Sequence, residues 1–195
     1  MSTRERILAA ALGAYGTDGY AATSLDALAA QLGVRKQTIL YYFPAKQALF
    51  DAVVDEAAAD LVKVFDAEAS RGLSGINQVE AIVRRVFRLA VRRPELLGLV
   101  REVTRPGSAV AERLGGHVAP TFDRARDFLD REMDAGRLRR SDPSMLLLSL
   151  YSTVVGVATE LEVQRALGME PTLRATVGRR QELLRFLRAA LAPRD

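Results

Sequence analysis

Apolar residues recur at three- and four-residue spacing along almost the whole chain. No stretch alternates apolar and polar residues with the period of two that a half-buried strand requires. The pattern predicts helices throughout. The first covers residues 3–15, with Ile7, Leu8, Ala11 and Leu12 as its inner stripe. The sequence GTDGY (16–20) ends it, because two glycines and an aspartate favour a turn. Thr23 or Ser24 then caps a short helix with Asp26 and Leu28 behind it. Gly33, free to adopt the left-handed conformation of a helix end, closes that helix, and a second short one covers 36–42. Pro44 stops it and can open the next at its first turn. A long helix over 45–70 follows, with Leu49, Phe50, Val53, Val54, Ala57, Leu61 and Val64 or Phe65 as its apolar positions. At 1.5 Å per residue it is about 40 Å long, enough to join two parts of a molecule.

Five more helices are predicted over 76–93, 94–104, 108–135, 142–167 and 171–192. Pro94, RPG (105–107), AGRLRRSDP (135–143) and GMEP (168–171) separate them, and RRSDPS (139–144) reads as a helix cap. There are no internal repeats and no low-complexity tracts. The expected fold is all-α. A small N-terminal unit over 1–48 is joined through the long helix to a larger helical body over 49–195.

Composition narrows the setting. A chain of 195 residues that is 49% hydrophobic and 27% charged can bury a real core. The absence of cysteine excludes disulfides and thiol chemistry and favours an intracellular protein. The apolar run in MSTRERILAAAL is too short and interrupted for a signal peptide. The run MLLLSLYSTVVGVA (145–158) falls short of the roughly 20 residues a membrane helix needs, so the expected location is cytoplasmic and no membrane partner is expected.

The net charge of +4 is modest, and its distribution says more than its total. Residues 1–50 hold five basic and three acidic groups, a net of +2, whereas 51–100 hold seven and eight, a net of −1. No acidic residue lies between Asp26 and Asp51, yet Arg35, Lys36 and Lys46 do. The positive field is local to that window.

Within it, residues 24–43 form a short helix, a tight turn and a second short helix, the helix-turn-helix arrangement whose second helix enters the major groove of DNA. Leu25, Leu28, Ala29 and Leu32 suit the inner face of the first helix, and Val34 and Ile39 close the small core. Arg35, Lys36, Gln37, Thr38 and Tyr41 are left facing outward. Arginine and lysine can donate to guanine, glutamine can pair with adenine, and a threonine methyl can meet thymine. Tyr42 and Lys46 suit phosphates, as do Thr23, Ser24 and the amides that open the first helix.

The segment TSLDALAAQLGVRKQTILYYFPAKQALFDAVV (23–54) resembles the DNA-binding segment of TetR-like (tetracycline-repressor-like) transcriptional regulators. The residues carrying the resemblance are Thr23, Ala29, Gly33, Val34, Lys36, Thr38, Phe43, Lys46 and Leu49, about a quarter of the chain being covered well. Two positions depart from it. Arg35 stands where the family usually has serine, and Leu40 where it usually has a backbone-contacting tyrosine, a contact Tyr41 or Tyr42 could supply instead.

The resemblance implies a homodimeric repressor on a palindromic double-stranded DNA operator, released by a small-molecule effector. The C-terminal body would then be a ligand-binding and dimerisation domain. It places the dimer interface in the last two helices, 142–167 and 171–192, whose apolar positions are too broad for one packed neighbour. It also implies an effector cavity, with Val83, Phe87, Val100, Phe122, Leu129, Met133, Tyr151 and Val155 as candidates; composition points to a largely apolar effector unless arginines line the cavity.

Other features read more plainly. Arg84, Arg85, Arg88, Arg92 and Arg93 read as a solvated face, Glu80 supporting Arg84, in preference to an anion site or a second DNA contact. His117 is the only histidine and has no second histidine or cysteine to complete a metal site. No catalytic constellation, metal site or cofactor motif stands out, so an enzyme is not expected. The rival reading is an all-α ligand-binding protein or enzyme whose N-terminal helices only pack. The acid-free window from residues 27 to 50 disfavours it.

Overall fold

A computed structural model of the chain describes residues 1–103, 111–170 and 172–193. Every described element is a helix: α1 (Thr3–Thr17), α2 (Leu25–Leu32), α3 (Lys36–Tyr42), α4 (Lys46–Ala69), α5 (Gly75–Arg92), α6 (Pro94–Val103), α7 (Ala111–Asp134), α8 (Pro143–Thr159), α9 (Leu161–Ala166) and α10 (Leu173–Leu191). The all-α class is as expected. No described helix is long and apolar enough to cross a membrane. The chain divides into two compact units, residues 1–61 with 93–118, and residues 62–92 with 119–195. Helix α4 therefore contributes residues to both.

In the first unit α1 opens with a capping box. The Ser2 hydroxyl accepts from the Glu5 amide, and the Glu5 carboxylate accepts from the Ser2 amide at 2.8 Å. Its stripe of Ile7, Leu8, Ala11 and Tyr15 is buried. The helix runs two residues past the expected end at Tyr15, because Gly16 serves packing and not a turn. Backbones of α1 and α6 meet there. A Cβ on Gly98 would strike the Gly16 carbonyl, and one on Gly16 would strike the backbone of Glu95. The Glu102 carboxylate of α6 then accepts the Tyr20 amide at 2.9 Å, and Leu96, Leu97, Leu99 and Val103 are buried. The compact unit holding the N-terminal helices thus includes α6, which lies far along the chain.

The core of the second unit gathers Val79, Val83, Val86 and Phe87 of α5, Leu129 and Met133 of α7, and Leu183, Leu184, Leu187 and Leu191 of α10. Buried carboxylates tie its helices together. Glu132 accepts the Gly75 amide at 2.7 Å and both Nε (2.6 Å) and Nη2 (2.8 Å) of Arg137. The Arg137 hydrogen bond is the main cause that holds this carboxyl below its usual range, and the pairing in turn raises the Arg137 guanidinium. Glu80 accepts from Arg84 (2.7 Å) and Arg188 (2.9 Å). The arginines of 84–93 are therefore more than a solvated face, since Arg88 also reaches Glu68 and Arg93 reaches Asp60.

One expected element is corrected. The helix predicted over 142–167 breaks at Glu160 (φ −80°, ψ 70°), giving α8 and α9. No proline marks the break. The side chain of Gln164, itself buried, donates to the Val157 carbonyl at 3.0 Å, replacing a helical bond that the break removes. The RRSDPS cap is present, with the Asp142 carboxylate accepting the Met145 amide at 2.7 Å. Residue 104 of the expected 94–104 helix, 108–110 of 108–135, and 171 of 171–192 lie outside the described residues.

Candidate nucleic-acid interface

Helix α2 starts at Ser24, whose hydroxyl accepts the Ala27 amide at 3.1 Å. Gly33 adopts φ 67°, ψ 33°. Its N–H donates to Ala30 at 3.2 Å and the Val34 N–H donates to Ala29 at 3.0 Å, the paired bonds of a Schellman turn. A side chain at Gly33 would meet open space, so it is the left-handed backbone that asks for glycine. The turn launches α3 from Arg35, which is extended (φ −81°, ψ 149°) and makes no capping bond with its side chain. Ile39 and Phe43 are buried and fix the rotation of α3. The guanidinium of Arg4 stacks 5.4 Å from the Phe43 ring, and Arg6 donates to the Leu32 carbonyl at 3.2 Å, so α1 braces both short helices.

That rotation leaves Arg35, Gln37, Tyr41 and Tyr42 exposed, Tyr41 at 83%. Tyr41 and Tyr42 meet edge to face at 5.1 Å. Thr38 and Leu40 are half-buried. The result is a face with a guanidinium, an amide and two phenols, and no carboxylate on α3 itself.

The other expected residues are engaged within the chain. The Lys36 ammonium bonds Asp26 at 2.8 Å, both being solvent-accessible. Lys46 donates to the Ala21 carbonyl at 3.4 Å and lies 4.3 Å from the Tyr20 ring centre. Thr23 is only 6% exposed, and its hydroxyl donates to the Gly19 carbonyl at 2.9 Å. Asp26 and Tyr20 were not singled out for the site by sequence reasoning. Asp26 closes the acid-free window on its N-terminal side, which was the available signal. Tyr20 packs with Tyr15 and Phe50 at 5.9 Å and 4.7 Å, a cluster that only the tertiary fold assembles. Tyr15 beneath it is buried with its hydroxyl unpaired, and burial pushes that phenol well up.

The expected effector residues separate by unit. Val100 lies in the first, on α6, half-buried. In the second, Val83, Phe87, Leu129 and Met133 are core, Tyr151 and Val155 are half-buried, and Phe122 is 41% exposed. A cleft of about 280 Å³ in the second unit, between α5 and α10, includes Phe87 alone of the eight. His117 bonds Asp55 at 2.9 Å, and no cluster of potential metal ligands occurs among the described residues.

The HTH-type transcriptional regulator RutR of Escherichia coli (strain K12) is 25% identical over 152 residues, 77% of this chain and 71% of RutR. A TetR transcriptional regulator from Chloroflexus aurantiacus has the same fold, with a TM-score of 0.77 and 21% identity over 98% of this chain and 97% of that one. So does AibR, solved in complex with isovaleryl coenzyme A and operator DNA, with a TM-score of 0.72 and 16% identity over 80% and 86%. Residues 7–53, the segment that builds α1 to α3 and the start of α4, match the family described as bacterial regulatory proteins, tetR family. That segment, folded as a helix-turn-helix with Arg35, Gln37, Tyr41 and Tyr42 exposed, is what this chain shares with the tetR family of bacterial regulatory proteins.

Proposed function

We propose that the chain is a dimeric transcriptional repressor that reads a palindromic operator through α3 and leaves it when a small molecule binds the second unit. The observation that carries this reading is the outward face of α3. Arg35, Gln37, Tyr41 and Tyr42 are exposed there on a Schellman turn, with buried Ile39 and Phe43 fixing their direction. Gln37 and Arg35 have the chemistry to read base edges. Tyr41, Tyr42 and Lys46 are assigned to phosphates, and Thr23 and Ser24 contribute through the first amides of α2. Lys36 exchanges Asp26 for DNA, an exposed pair that costs little to break.

DNA reading is assigned to residues 1–48, and effector binding and dimerisation to 49–195. For the dimer, α8 exposes Met145 and Leu148 with small Ser149 and Ser152 on the same face, and α10 exposes Phe186. Two copies of each helix would cover these in a four-helix bundle. A repressor of this kind acts in the cytoplasm and catalyses no reaction. AibR, with its coenzyme A thioester and operator, supports a coupling of ligand to DNA on this architecture. Such an effector works only by binding the DNA-incompetent state more tightly.

A gel-shift on the DNA upstream of its own gene tests the reading. A salt-sensitive preference for a palindrome there over random DNA is expected. Equal affinity for both DNAs at every salt concentration overturns it.

A further inference from the structure

The cleft between α5 and α10 has a two-part lining that the helical repeat explains. On α5, Phe87 and Val91 form one i,i+4 row and Arg88 and Arg92 the next. On α10, Leu173 and Val177 form an apolar row beside Thr176 and Arg180. The helices thus bring four apolar side chains together under three guanidiniums, and no carboxylate lines the cleft.

The charge there is largely unspent. Arg88 is shared with Glu68 at 3.2 Å. Among the described residues, neither Arg92 nor Arg180 has an ion pair, and the Arg180 Nε is buried without a hydrogen-bond partner. A buried donor left unpaired carries a cost that an acceptor would relieve. Water could serve it, but water gains nothing from Leu173 and Val177, which are exposed although they continue the buried stripe of Leu184, Leu187 and Leu191. A neutral apolar ligand would leave Arg180 unpaired, and a cation would be repelled.

We propose that this cleft binds a small amphipathic carboxylate, its head on Arg92 and Arg180 and its tail over Phe87, Val91, Leu173 and Val177. Its volume of about 280 Å³ falls just below the roughly 300–1,000 Å³ of ligand pockets, which selects a short chain over a long one. The site names the class of effector, and its regulatory meaning rests on the repressor reading above; binding itself does not.

The test titrates the full-length chain calorimetrically with octanoate, octan-1-ol and octylammonium near neutral pH. One octanoate per chain is expected, with the alcohol and the ammonium at least roughly tenfold weaker. The double variant Arg92→Glu, Arg180→Glu should lose octanoate by at least about tenfold, while Arg140→Glu, an exposed site on another segment, should not. If charge reversal unfolds the chain, Arg92→Gln with Arg180→Gln takes its place. Absence of octanoate binding, including exclusion by a second copy covering the cleft, overturns the proposal. So does equal binding of octanoate by the variants, or of octanol by the native chain. Octanoate that binds without releasing DNA leaves the site standing and removes its role as effector.

Discussion

The two units of this chain expose different things. The first buries its large apolar residues and keeps on its described surface, besides Met1, only the tyrosines of α3 among them, Tyr41 and Tyr42. The second exposes Val91, Phe122, Met145, Leu148, Val163, Leu167, Met169, Leu173, Val177 and Phe186. A unit whose core closes by itself can spend its surface on polar groups aimed at a partner that has no apolar face. A unit that leaves aliphatic side chains in water has a surface still waiting for apolar cover. DNA fits the first description; for the second, a second copy fits Met145, Leu148 and Phe186, and the proposed carboxylate fits Val91, Leu173 and Val177.

The exposed apolar surface of the second unit carries the largest expected effect. Replacing both Met145 and Leu148 with Glu should weaken self-association about a thousandfold, since buried interface anchors contribute about 2 kcal/mol each. Sedimentation of the variant as a dimer at micromolar concentration would show that α8 does not carry the cover. The first unit is tested next, at its closest contact. Gly98→Ala drives a methyl into the Gly16 carbonyl and should cost about 3 kcal/mol in urea unfolding. A loss no larger than that of an exposed alanine substitution would mean that α6 is not locked to α1.

Smaller effects sharpen the picture. Glu132→Gln should cost about 2 kcal/mol, because the Gly75 amide and Arg137 lose a charged acceptor. The folded carboxyl titrates below its unfolded value, so its contribution is complete at neutral pH and is lost as pH falls through the lowered value. Urea midpoints measured on acidification should fall less steeply in the variant than in the native chain. Equal slopes would remove Glu132 from the acid response. The smallest change, Tyr15→Phe, removes a buried hydroxyl without a partner and should leave stability equal or raise it by up to about 1 kcal/mol. A clear loss would mean that this hydroxyl is satisfied after all.

What the sequence made legible was local. Gly33, Pro44 and the three-and-four spacing of Leu25, Leu28, Ala29 and Leu32 act over a turn or two of chain, so α2, the turn and α3 could be placed before any contact was known. The Gly16–Gly98 approach joins residues 82 positions apart, and the neighbours of Gly16 make it read as a turn glycine and not as a packing one. The break at Glu160 was hidden because a buried glutamine compensates for it, where sequence reasoning looks for proline or glycine. The partners of Lys36 and Lys46 were not legible, because Asp26 and the Ala21 carbonyl come to them only through the fold. The cleft was missed for a similar reason. Its arginines look like a solvated row on α5 until α10 supplies Leu173, Val177 and Arg180 opposite.

Selection from random double-stranded DNA asks whether α3 reads a symmetric operator. The native chain should enrich a sequence with two-fold symmetry, its half-sites about one helical turn apart, and Gln37→Ala should change the preferred bases without abolishing the symmetry. Recovery of no preferred sequence, or of a single unrepeated site indifferent to Gln37, would contradict a dimer that reads DNA through α3.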